Sequence, residues 1–593
     1  VLDLDTLNAT EKTNWVWAGA HCLAPEYQRC LIMLSRGGAD AAVMREFDTQ
    51  TKRFVVDGFN LPEAKTDLAW LDANNLYVGT DFGPGSMTDS GYPRLVKRWK
   101  RGTSLAEAVT VFEGSKTDVS VSANVDRTPG FNHTQLSRAV DFFHQNRYLL
   151  IDGKTVELQV PTDSEVSIRR QQIFIHLRSD LQIGATRYAS GSLLVSELDA
   201  WLENKAANKP AKSVYLLFTP SSTRSLVDFT LTQSGLILNI NDNVASRLEE
   251  WRLVGDSKAA KWQHRNVDAP FPGTLRVNGL YDSELADGDP LGDQYLLSYA
   301  DFLTPDSLWL GKMGSNERVM LKSRNPLYDS KGMQVQQFFV NSKDGTRIPY
   351  FVVSPQGAVL DGNNPTLLYG YGGFEINMQP GYSGAFGKAW LERGGVYVLA
   401  NIRGGGEFGP AWHQAAMKEN KQKSYDDFIA VAQDLIKRKV SSPRHLGIMG
   451  GSNGGLLVGA TFVQRPDLFN AVVCQVPLLD MQRFHLLLAG ASWVAEYGNP
   501  DDPKEWASLS KISPYQNVKA GVKYPRVFFT TSTRDDRVHP GHARKMAARM
   551  LEQKHDLLYY ENIEGGHSGA ADNDQRATVK AMEFSYLWMQ LGK

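Results

Sequence analysis

The fold is decided by a glycine-rich hexapeptide with a serine near its centre, GGSNGG at residues 450–455. A short apolar segment precedes it at residues 446–449, and a run compatible with a helix follows it at residues 456–463. A strand, Gly-x-Ser-x-Gly and a helix form the context of a nucleophile elbow, whose sharp turn exposes the serine hydroxyl. We therefore predict that Ser452 is a nucleophile and that the backbone N–H of Asn453 faces a developing oxyanion.

The composition is typical of a soluble globular protein with more than one domain. The chain has 593 residues, more than one hydrophobic core accommodates. Its formal net charge of −1 gives no electrostatic reason to expect nucleic acid or an anionic membrane surface as a partner. No run of about 18 apolar residues predicts a membrane span.

Neither the cysteines nor the N-terminus fixes the cellular compartment. Three cysteines are too few for a disulfide framework, and we expect Cys22 and Cys30 to be two unreactive thiols, although they could form one bridge. The chain begins with Val1 and reads there like the middle of a folded protein. We therefore expect a preceding segment, with any signal peptide, to be missing, and leave the compartment open between cytoplasm and periplasm.

Residues 1–325 read as short strands separated by turn residues. Short aliphatic or aromatic segments recur between Asp, Asn, Gly and Ser, as at residues 76–79, 172–175 and 235–240. These strands are too many for a single β-sandwich, whereas a propeller with blades of about 40 to 50 residues would accommodate them. We therefore predict an all-β propeller domain over this half.

The pattern changes after residue 325, where apolar strands alternate with amphipathic helices. This alternation predicts a mainly parallel sheet, and thus an α/β domain over residues 326–593. One helix is predicted to begin at Ser424, because Ser424 and Asp427 match a capping box and apolar residues follow at helical spacing. The strands are predicted at residues 335–340, 349–353, 366–369, 396–400, 446–449, 471–475, 526–530 and 557–560.

Two of the later predicted strands lead into residues that can activate a serine. One ends just before Asp535 and Asp536, and the next ends just before His567, which lies in a glycine-rich loop. Taken alone, the aspartates could belong to a surface turn with a local ion pair, and His567 could be an ordinary loop histidine. Serine, aspartate and histidine in this chain order, however, match an α/β hydrolase. His567 would take the proton of Ser452 and return it to the leaving group, while the aspartate orients the imidazole.

Two other histidines are rival bases. His539 and His542 begin a predicted helix directly after the aspartates. We expect them to be exposed to solvent or to line the site, and we therefore prefer His567.

Five motifs together resemble the prolyl oligopeptidase family of serine peptidases. The resemblance is dense from about residue 330 to the end and weak in the first half. It implies a propeller of about seven blades, followed by an α/β-hydrolase domain whose N-terminal segment is missing from this chain. The motifs are YGYGGF at 369–374, ANIRGGGE at 400–407, GGSNGG at 450–455, RPDLF at 465–469 and DDRV at 535–538.

The resemblance also assigns catalytic roles. It implies that Ser452 is the nucleophile, that His567 is the base and that Asp535, rather than Asp536, is the acid. The oxyanion hole would consist of the Tyr371 hydroxyl and the N–H of Asn453.

The substrate pocket is implied in the same way. Arg537 resembles the arginine that holds a substrate carbonyl, and Trp493 resembles the indole that stacks on the substrate proline. A flat apolar slot suits a pyrrolidine ring, which has no N–H. Other pocket positions match Phe374, Tyr497 and Val538.

The pocket departs from the family pattern at two positions. Leu478 and Ala489 align where valine and isoleucine are common, so the shape of the slot is expected to differ.

The resemblance implies a serine oligopeptidase that hydrolyses short peptides on the carboxyl side of proline through an acyl-enzyme intermediate. The alternatives are a sister oligopeptidase that cuts after basic residues or releases acylated amino acids, and an esterase on the same scaffold. Asn453 and Trp493 argue against the sister enzymes. A propeller that serves only as an interaction module is disfavoured by the complete catalytic set. We expect a monomer without cofactor or metal, with short peptides as its partners.

Overall fold

The computed structural model describes residues 1–206, 214–255, 261–269, 273–285 and 289–592, and it divides the chain into two compact units. The first unit comprises Val1–Thr162, Cys474–Gly521 and Phe528–Lys580. The second comprises Asp163–Val473, Val522–Val527 and Ala581–Lys593. Among the described residues, no helix has both the length and the apolar character that crossing a bilayer requires.

The first unit begins with a helix, Leu4–Glu11, and three antiparallel sheets. Strands that follow each other in sequence mostly pair with each other, as expected for short strands joined by turns. The first sheet contains β1 (Trp15–Cys22), β2 (Arg29–Arg36), β3 (Ala42–Asp48), β4 (Arg53–Phe54) and β5 (Asn60–Ala64). The second contains β6 (Asp67–Asp72), β7 (Asn75–Gly79), β8 (Leu95–Lys100) and β9 (Val109–Glu113), and the third β10 (Ser120–Asp126), β11 (His133–Ala139), β12 (Gln145–Ile151) and β13 (Lys154–Glu157).

The second unit begins with three more antiparallel sheets and a small hairpin. The fourth sheet contains β14 (Glu165–Arg169), β15 (Gln172–His176), β18 (Leu193–Glu197) and β19 (Tyr215–Phe218), with the hairpin β16 (Leu181–Ile183) and β17 (Thr186–Tyr188) and a helix, Leu198–Ala206, inserted in its sequence. The fifth contains β20 (Arg224–Leu231), β21 (Gly235–Asp242), β22 (Ala245–Val254) and β23 (Lys261–Val267). The sixth contains β24 (Thr274–Gly279), β25 (Gln294–Ala300), β26 (Ser307–Lys312) and β27 (Arg318–Ser323).

Neighbouring sheets bury apolar faces against each other within each unit, as the blades of a propeller do. One core in the first unit joins the first two sheets and includes Leu31, Met44, Trp70 and Val78. The predicted all-β propeller architecture is therefore confirmed. The number of blades is six among the described residues rather than about seven, because each sheet with its connections takes up about 50 residues, the upper end of the expected repeat length.

An eight-stranded mixed sheet follows in the chain, in the order β28-β29-β31-β30-β32-β33-β34-β35. β30 pairs in parallel with β31 and β32, whereas β29 pairs antiparallel with β28 and β31. The α/β fold predicted from alternating strands and helices is thus present. The strands are β28 (Met333–Asn341), β29 (Arg347–Pro355), β30 (Thr366–Tyr369), β31 (Val396–Ala400), β32 (Leu446–Gly451), β33 (Ala471–Gln475), β34 (Arg526–Ser532) and β35 (Leu557–Asn562).

Helices lie between these strands and follow the last one. The α-helices are Gly384–Phe386, Pro410–Gln414, Gln422–Lys437, Asn453–Gln464, Val494–Tyr497, Pro503–Ile512, Pro514–Asn517, Gly541–Glu552 and Asn573–Leu591. Short 3₁₀ turns occur at Leu105–Glu107, Lys418–Asn420, Pro466–Leu468, Phe484–Leu486 and Leu488–Trp493, and a π-helical turn at Gly387–Leu391.

The capping box predicted at Ser424 is wrong. The helix begins two residues earlier, at Gln422, so Ser424 lies inside it. Its Oγ donates to the backbone oxygen of Arg403 at 2.7 Å, and Oδ1 of Asp427 accepts from Nη2 of Arg403 at 2.6 Å. The two side chains that match a capping box bind a neighbouring loop instead of the helix end.

The expectation of two free thiols is also wrong, because Cys22 and Cys30 form a disulfide. The antiparallel register of β1 and β2 places them directly opposite each other, with 3.9 Å between their Cα atoms. The third cysteine, Cys474, lies outside this disulfide and is buried.

Candidate active site

The strand, turn and helix predicted around Ser452 are present in the second unit. β32 ends at Gly451 and a helix begins at Asn453, so Ser452 alone makes the turn. Its φ of 59° and ψ of −120° are costly for an L-residue, and such strain clusters at functional sites. A Cβ on Gly450 would lie 2.2 Å from the carbonyl oxygen of Gly454, so the tight turn requires glycine there.

The start of the same helix fixes the loop that carries Tyr371. Nδ2 of Asn453 donates to the backbone oxygen of Tyr371 at 2.6 Å. The next carbonyl oxygen, that of Gly372, accepts from Nζ of Lys421 at 2.9 Å. Two successive carbonyl groups are thus held by donors, which orients the loop on which Tyr371 lies.

In the first unit, His567 is joined to Asp535. Nδ1 of His567 and Oδ2 of Asp535 are 2.7 Å apart, and the Asp535 side chain is fully buried. Its other oxygen accepts from the backbone N–H groups of Arg537, at 3.1 Å, and Val538, at 2.9 Å. Because both carboxylate oxygens have partners, Asp535 is fixed and can hold the His567 ring in one orientation.

Asp536 has different partners from Asp535. Its carboxylate accepts from the backbone N–H of Asp40 at 2.8 Å and from that of Ala41 at 2.9 Å. Its backbone oxygen accepts from Nζ of Lys65 at 3.0 Å. Asp536 therefore attaches the loop after β34 to the first antiparallel sheet.

The two rival histidines lie in different surroundings. His542 is 1% exposed, and its Nδ1 accepts from the backbone N–H groups of Leu479, at 3.2 Å, and Asp480, at 3.1 Å. Burial lowers the pKa of His542 to about 4. His539 is partly buried, its Nδ1 accepts from the N–H of Gly541 at 2.9 Å, and burial lowers its pKa as well. The expectation that His542 is exposed or lines the site is wrong, because it binds backbone in the interior.

Arg537 forms a two-pronged ion pair that sequence reasoning missed. Nε and Nη2 of Arg537 donate to the two carboxylate oxygens of Asp40 at 2.8 and 2.7 Å. Burial alone would raise the pKa of Asp40, but the hydrogen bonds from Arg537 hold it below its usual value. Asp40 lies 497 positions away, so no local pattern could indicate this partner. A substrate carbonyl at Arg537 would share the guanidinium group with Asp40.

The predicted aromatic and aliphatic pocket residues of the first unit are buried. Trp493 ends a short helical turn, Leu488–Trp493, and Tyr497 ends the next, Val494–Tyr497. The Tyr497 ring contacts Phe484 edge to face, with 5.5 Å between the ring centroids. Val538, Leu478 and Ala489 are also buried.

Each unit therefore holds one part of the predicted site. The first unit contains Asp535, His567, Arg537, Val538, Trp493 and Tyr497. The second contains Ser452, Asn453, Tyr371 and Phe374.

Comparisons with known proteins all indicate the same protein family. The profile of the prolyl oligopeptidase family matches residues 383–593, and that of the prolyl oligopeptidase N-terminal beta-propeller domain matches residues 1–154. An uncharacterized peptidase of Sinorhizobium fredii is 45% identical over 599 residues, covering 100% of this chain and 80% of that protein. A prolyl endopeptidase of Elizabethkingia miricola is 36% identical over 332 residues, covering 55% of this chain and 46% of that protein.

A solved structure extends the likeness to the three-dimensional fold. The structure of a post-proline cleaving enzyme from Rickettsia typhi superposes with a TM-score of 0.91 at 31% identity, covering 100% of this chain and 86% of that one. The chain belongs to the prolyl oligopeptidase family of serine peptidases.

Proposed function

We propose that this family member hydrolyses short peptides on the carboxyl side of proline through an acyl-enzyme intermediate. The observation that carries the proposal is the hydrogen bond between His567 and the buried Asp535. It provides a base already oriented by an acid, in a chain whose elbow serine, Ser452, precedes both in sequence. Residues 1–325 are the propeller domain and residues 326–593 the hydrolase domain of a monomer.

The catalytic cycle follows from these roles. His567 accepts the Ser452 proton as the serine attacks the carbonyl carbon, and Asp535 stabilises the imidazolium that forms. The oxyanion is held by the Tyr371 hydroxyl and the N–H of Asn453, at the positive end of the helix Asn453–Gln464. His567 then gives its proton to the leaving amine, and water releases the acyl group by the same steps in reverse.

Specificity for proline is assigned to the aromatic pocket. The Trp493 indole is assigned as the stacking surface for the pyrrolidine ring, and Phe374, Tyr497 and Val538 are assigned to the same proline subsite. The names of the relatives, a prolyl endopeptidase and a post-proline cleaving enzyme, support this substrate class.

The test is a panel of chromogenic dipeptide substrates that differ only in the cleaved residue. Proline should give the highest kcat/KM, well above alanine and arginine. A preference for arginine or lysine, or hydrolysis of esters alone, would contradict the proposal. A fluorophosphonate probe should label Ser452 in the native protein, and it should leave Ser452→Ala unlabelled.

A further inference from the structure

The turn after Tyr371 has a strained backbone. Phe374 and Glu375 have φ values of 55° and 58°, and neither is a glycine. Two consecutive side-chain-bearing residues in the left-handed region are unfavourable on their own. Such a conformation persists only where surrounding groups determine it, and it is typical of binding and catalytic sites.

The carboxylate of Glu375 is held by an arginine from the antiparallel-sheet half of the chain. Arg178 follows β15, and its guanidinium forms an ion pair with Glu375. Nη2 of Arg178 also donates to Nδ1 of His413 at 2.8 Å. Since arginine only donates, that nitrogen accepts, and Arg178 is the cation that binds Glu375. The Arg178 side chain is 9% exposed and that of Glu375 is 22% exposed, so the pair is largely shielded from water.

Arg178 is also fixed at its backbone. Its carbonyl oxygen accepts from Nε2 of Gln414 at 2.8 Å and from Oγ of Ser190 at 2.7 Å. His413 and Gln414 lie on the same short helix, Pro410–Gln414. The helix therefore contacts both ends of Arg178, which leaves the guanidinium little freedom to swing away from Glu375.

The backbone of Glu375 is also in contact with a neighbouring loop. The N–H of Glu375 donates to the carbonyl oxygen of Gly404 at 3.2 Å. A Cβ on Gly406 would lie 2.3 Å from the carbonyl oxygen of Glu375, so the neighbouring loop packs directly on the turn.

We propose that Arg178 is a positioning residue of the active site: by binding Glu375 it holds the left-handed turn that presents Tyr371 and Phe374. The inference rests on the proposed function, in which Tyr371 supplies an oxyanion donor and Phe374 lines the pocket. It makes the propeller half of the chain a participant in catalysis, because a residue of that half sets the geometry of the oxyanion loop.

Removal of either partner should lower turnover through Tyr371. Arg178→Met and Glu375→Gln should each lower kcat by about tenfold, equivalent to about 1.4 kcal/mol of transition-state stabilisation. Arg178→Lys should recover part of the loss, because it keeps the charge but not the planar fork. The exchange Arg178→Glu with Glu375→Arg should recover more activity than either of its single substitutions.

The decisive experiment is a double-mutant cycle with Tyr371→Phe, measured per active site titrated with fluorophosphonate. If Arg178 acts through the Tyr371 hydroxyl, Arg178→Met should cost little further activity once Tyr371→Phe is present. The control is Arg187→Met, which removes an exposed ion pair with Asp180 in the same half of the chain and should leave kcat unchanged. Fully multiplicative losses, or a lower Tm with unchanged kcat, would overturn the proposal.

Failure of the proposed function can be told apart from failure of this inference. If the wild-type protein shows no preference for proline, the substrate proposal is wrong, and the same cycle is run on the chromogenic ester or peptide that it does hydrolyse. If it hydrolyses nothing, a crystal structure of Glu375→Gln shows whether the ion pair holds the turn. Phe374 and residue 375 should leave the left-handed region, and an unchanged turn would show that Arg178 does not set it.

Discussion

Asp535 and Asp536 are adjacent in sequence but bind different parts of the molecule. Asp535 contacts His567 and the backbone of its own loop, whereas Asp536 binds the backbone N–H groups of Asp40 and Ala41. One carboxylate therefore orients the candidate base, and the other anchors the loop. The same substitution at each of the two aspartates can therefore separate the catalytic role from the structural one.

The first prediction compares Asp535→Asn with Asp536→Asn. Asp535→Asn should lower kcat by about 10³-fold or more, because an amide no longer stabilises the imidazolium and can favour the wrong tautomer. Asp536→Asn should keep kcat within a few-fold but lower the free energy of unfolding by about 1–3 kcal/mol, because one backbone N–H loses its acceptor. Steady-state kinetics per titrated active site measures kcat, and urea denaturation measures the free energy of unfolding. A larger loss of kcat in Asp536→Asn would reverse the assignment of the acid.

The second prediction concerns Trp493. Trp493→Ala should lower kcat/KM for proline substrates by about 10²-fold, since an aromatic contact and the burial of the ring together contribute roughly 2–4 kcal/mol. Alanine substrates cover less of the indole and should lose much less, so the preference for proline should collapse. Steady-state kinetics on a proline and an alanine substrate measure the ratio. Equal losses for both would place Trp493 outside the specificity pocket.

At the scale of elements, the helix Gly541–Glu552 binds the segment that follows Leu478, a residue predicted to line the substrate pocket. His542, in its first turn, accepts from the N–H groups of Leu479 and Asp480, directly after Leu478. The unprotonated ring nitrogen is what makes these bonds possible. The packing of this helix therefore depends on a neutral histidine.

The third prediction follows from the pKa of His542, which burial lowers to about 4. The unfolded chain binds a proton at this residue near pH 6.5 and the folded chain does not, so stability should be complete above pH 6.5 and decline towards pH 4. The loss should reach roughly 3 kcal/mol. His542→Asn keeps an acceptor and should remove this part of the pH dependence, whereas His542→Leu should be less stable at every pH. Urea midpoints between pH 4 and pH 8 measure the slope, and an equally steep slope in His542→Asn would contradict the assignment.

Elements with local signals could be predicted from the sequence, and those that depend on distant contacts could not. β30, β31 and β33 lie where their apolar segments indicate, and the elbow follows from a strand, small residues and a helix in succession. Ser424 and Asp427 match a helix cap in sequence, yet Arg403 of another loop recruits both. The disulfide depends on the register of two strands, which cysteine spacing alone does not reveal.

At the scale of the whole molecule, the antiparallel sheets contribute to both predicted parts of the site. In the first unit, Asp40 binds Arg537, next to the predicted acid. In the second, Arg178 binds Glu375, in the loop of the predicted oxyanion donor. These contacts join residues 497 and 197 positions apart. Sequence patterns could therefore predict the fold of each half of the chain, but not the side-chain contacts that link the two halves.

The fourth prediction tests what the Asp40 contact does for substrate binding. Asp40 occupies Nε and Nη2 of Arg537, so a substrate carbonyl would be bound by the remaining N–H groups of an arginine that is already oriented. Asp40→Asn should therefore raise KM several-fold for proline and alanine substrates alike, with little change in kcat. Because the Arg537 side chain is 46% exposed, the stability lost should be small, about 1 kcal/mol or less.

Salt provides the control for this prediction. High ionic strength screens a partly exposed ion pair, so the KM of the wild-type protein should rise with added NaCl towards that of Asp40→Asn, whose own KM should respond less. Arg537→Ala should raise KM further than Asp40→Asn, because it removes the donor as well as its orientation. If Asp40→Asn instead lowers KM, Asp40 competes with the substrate for Arg537. The ion pair would then weaken substrate binding, which would contradict the prediction.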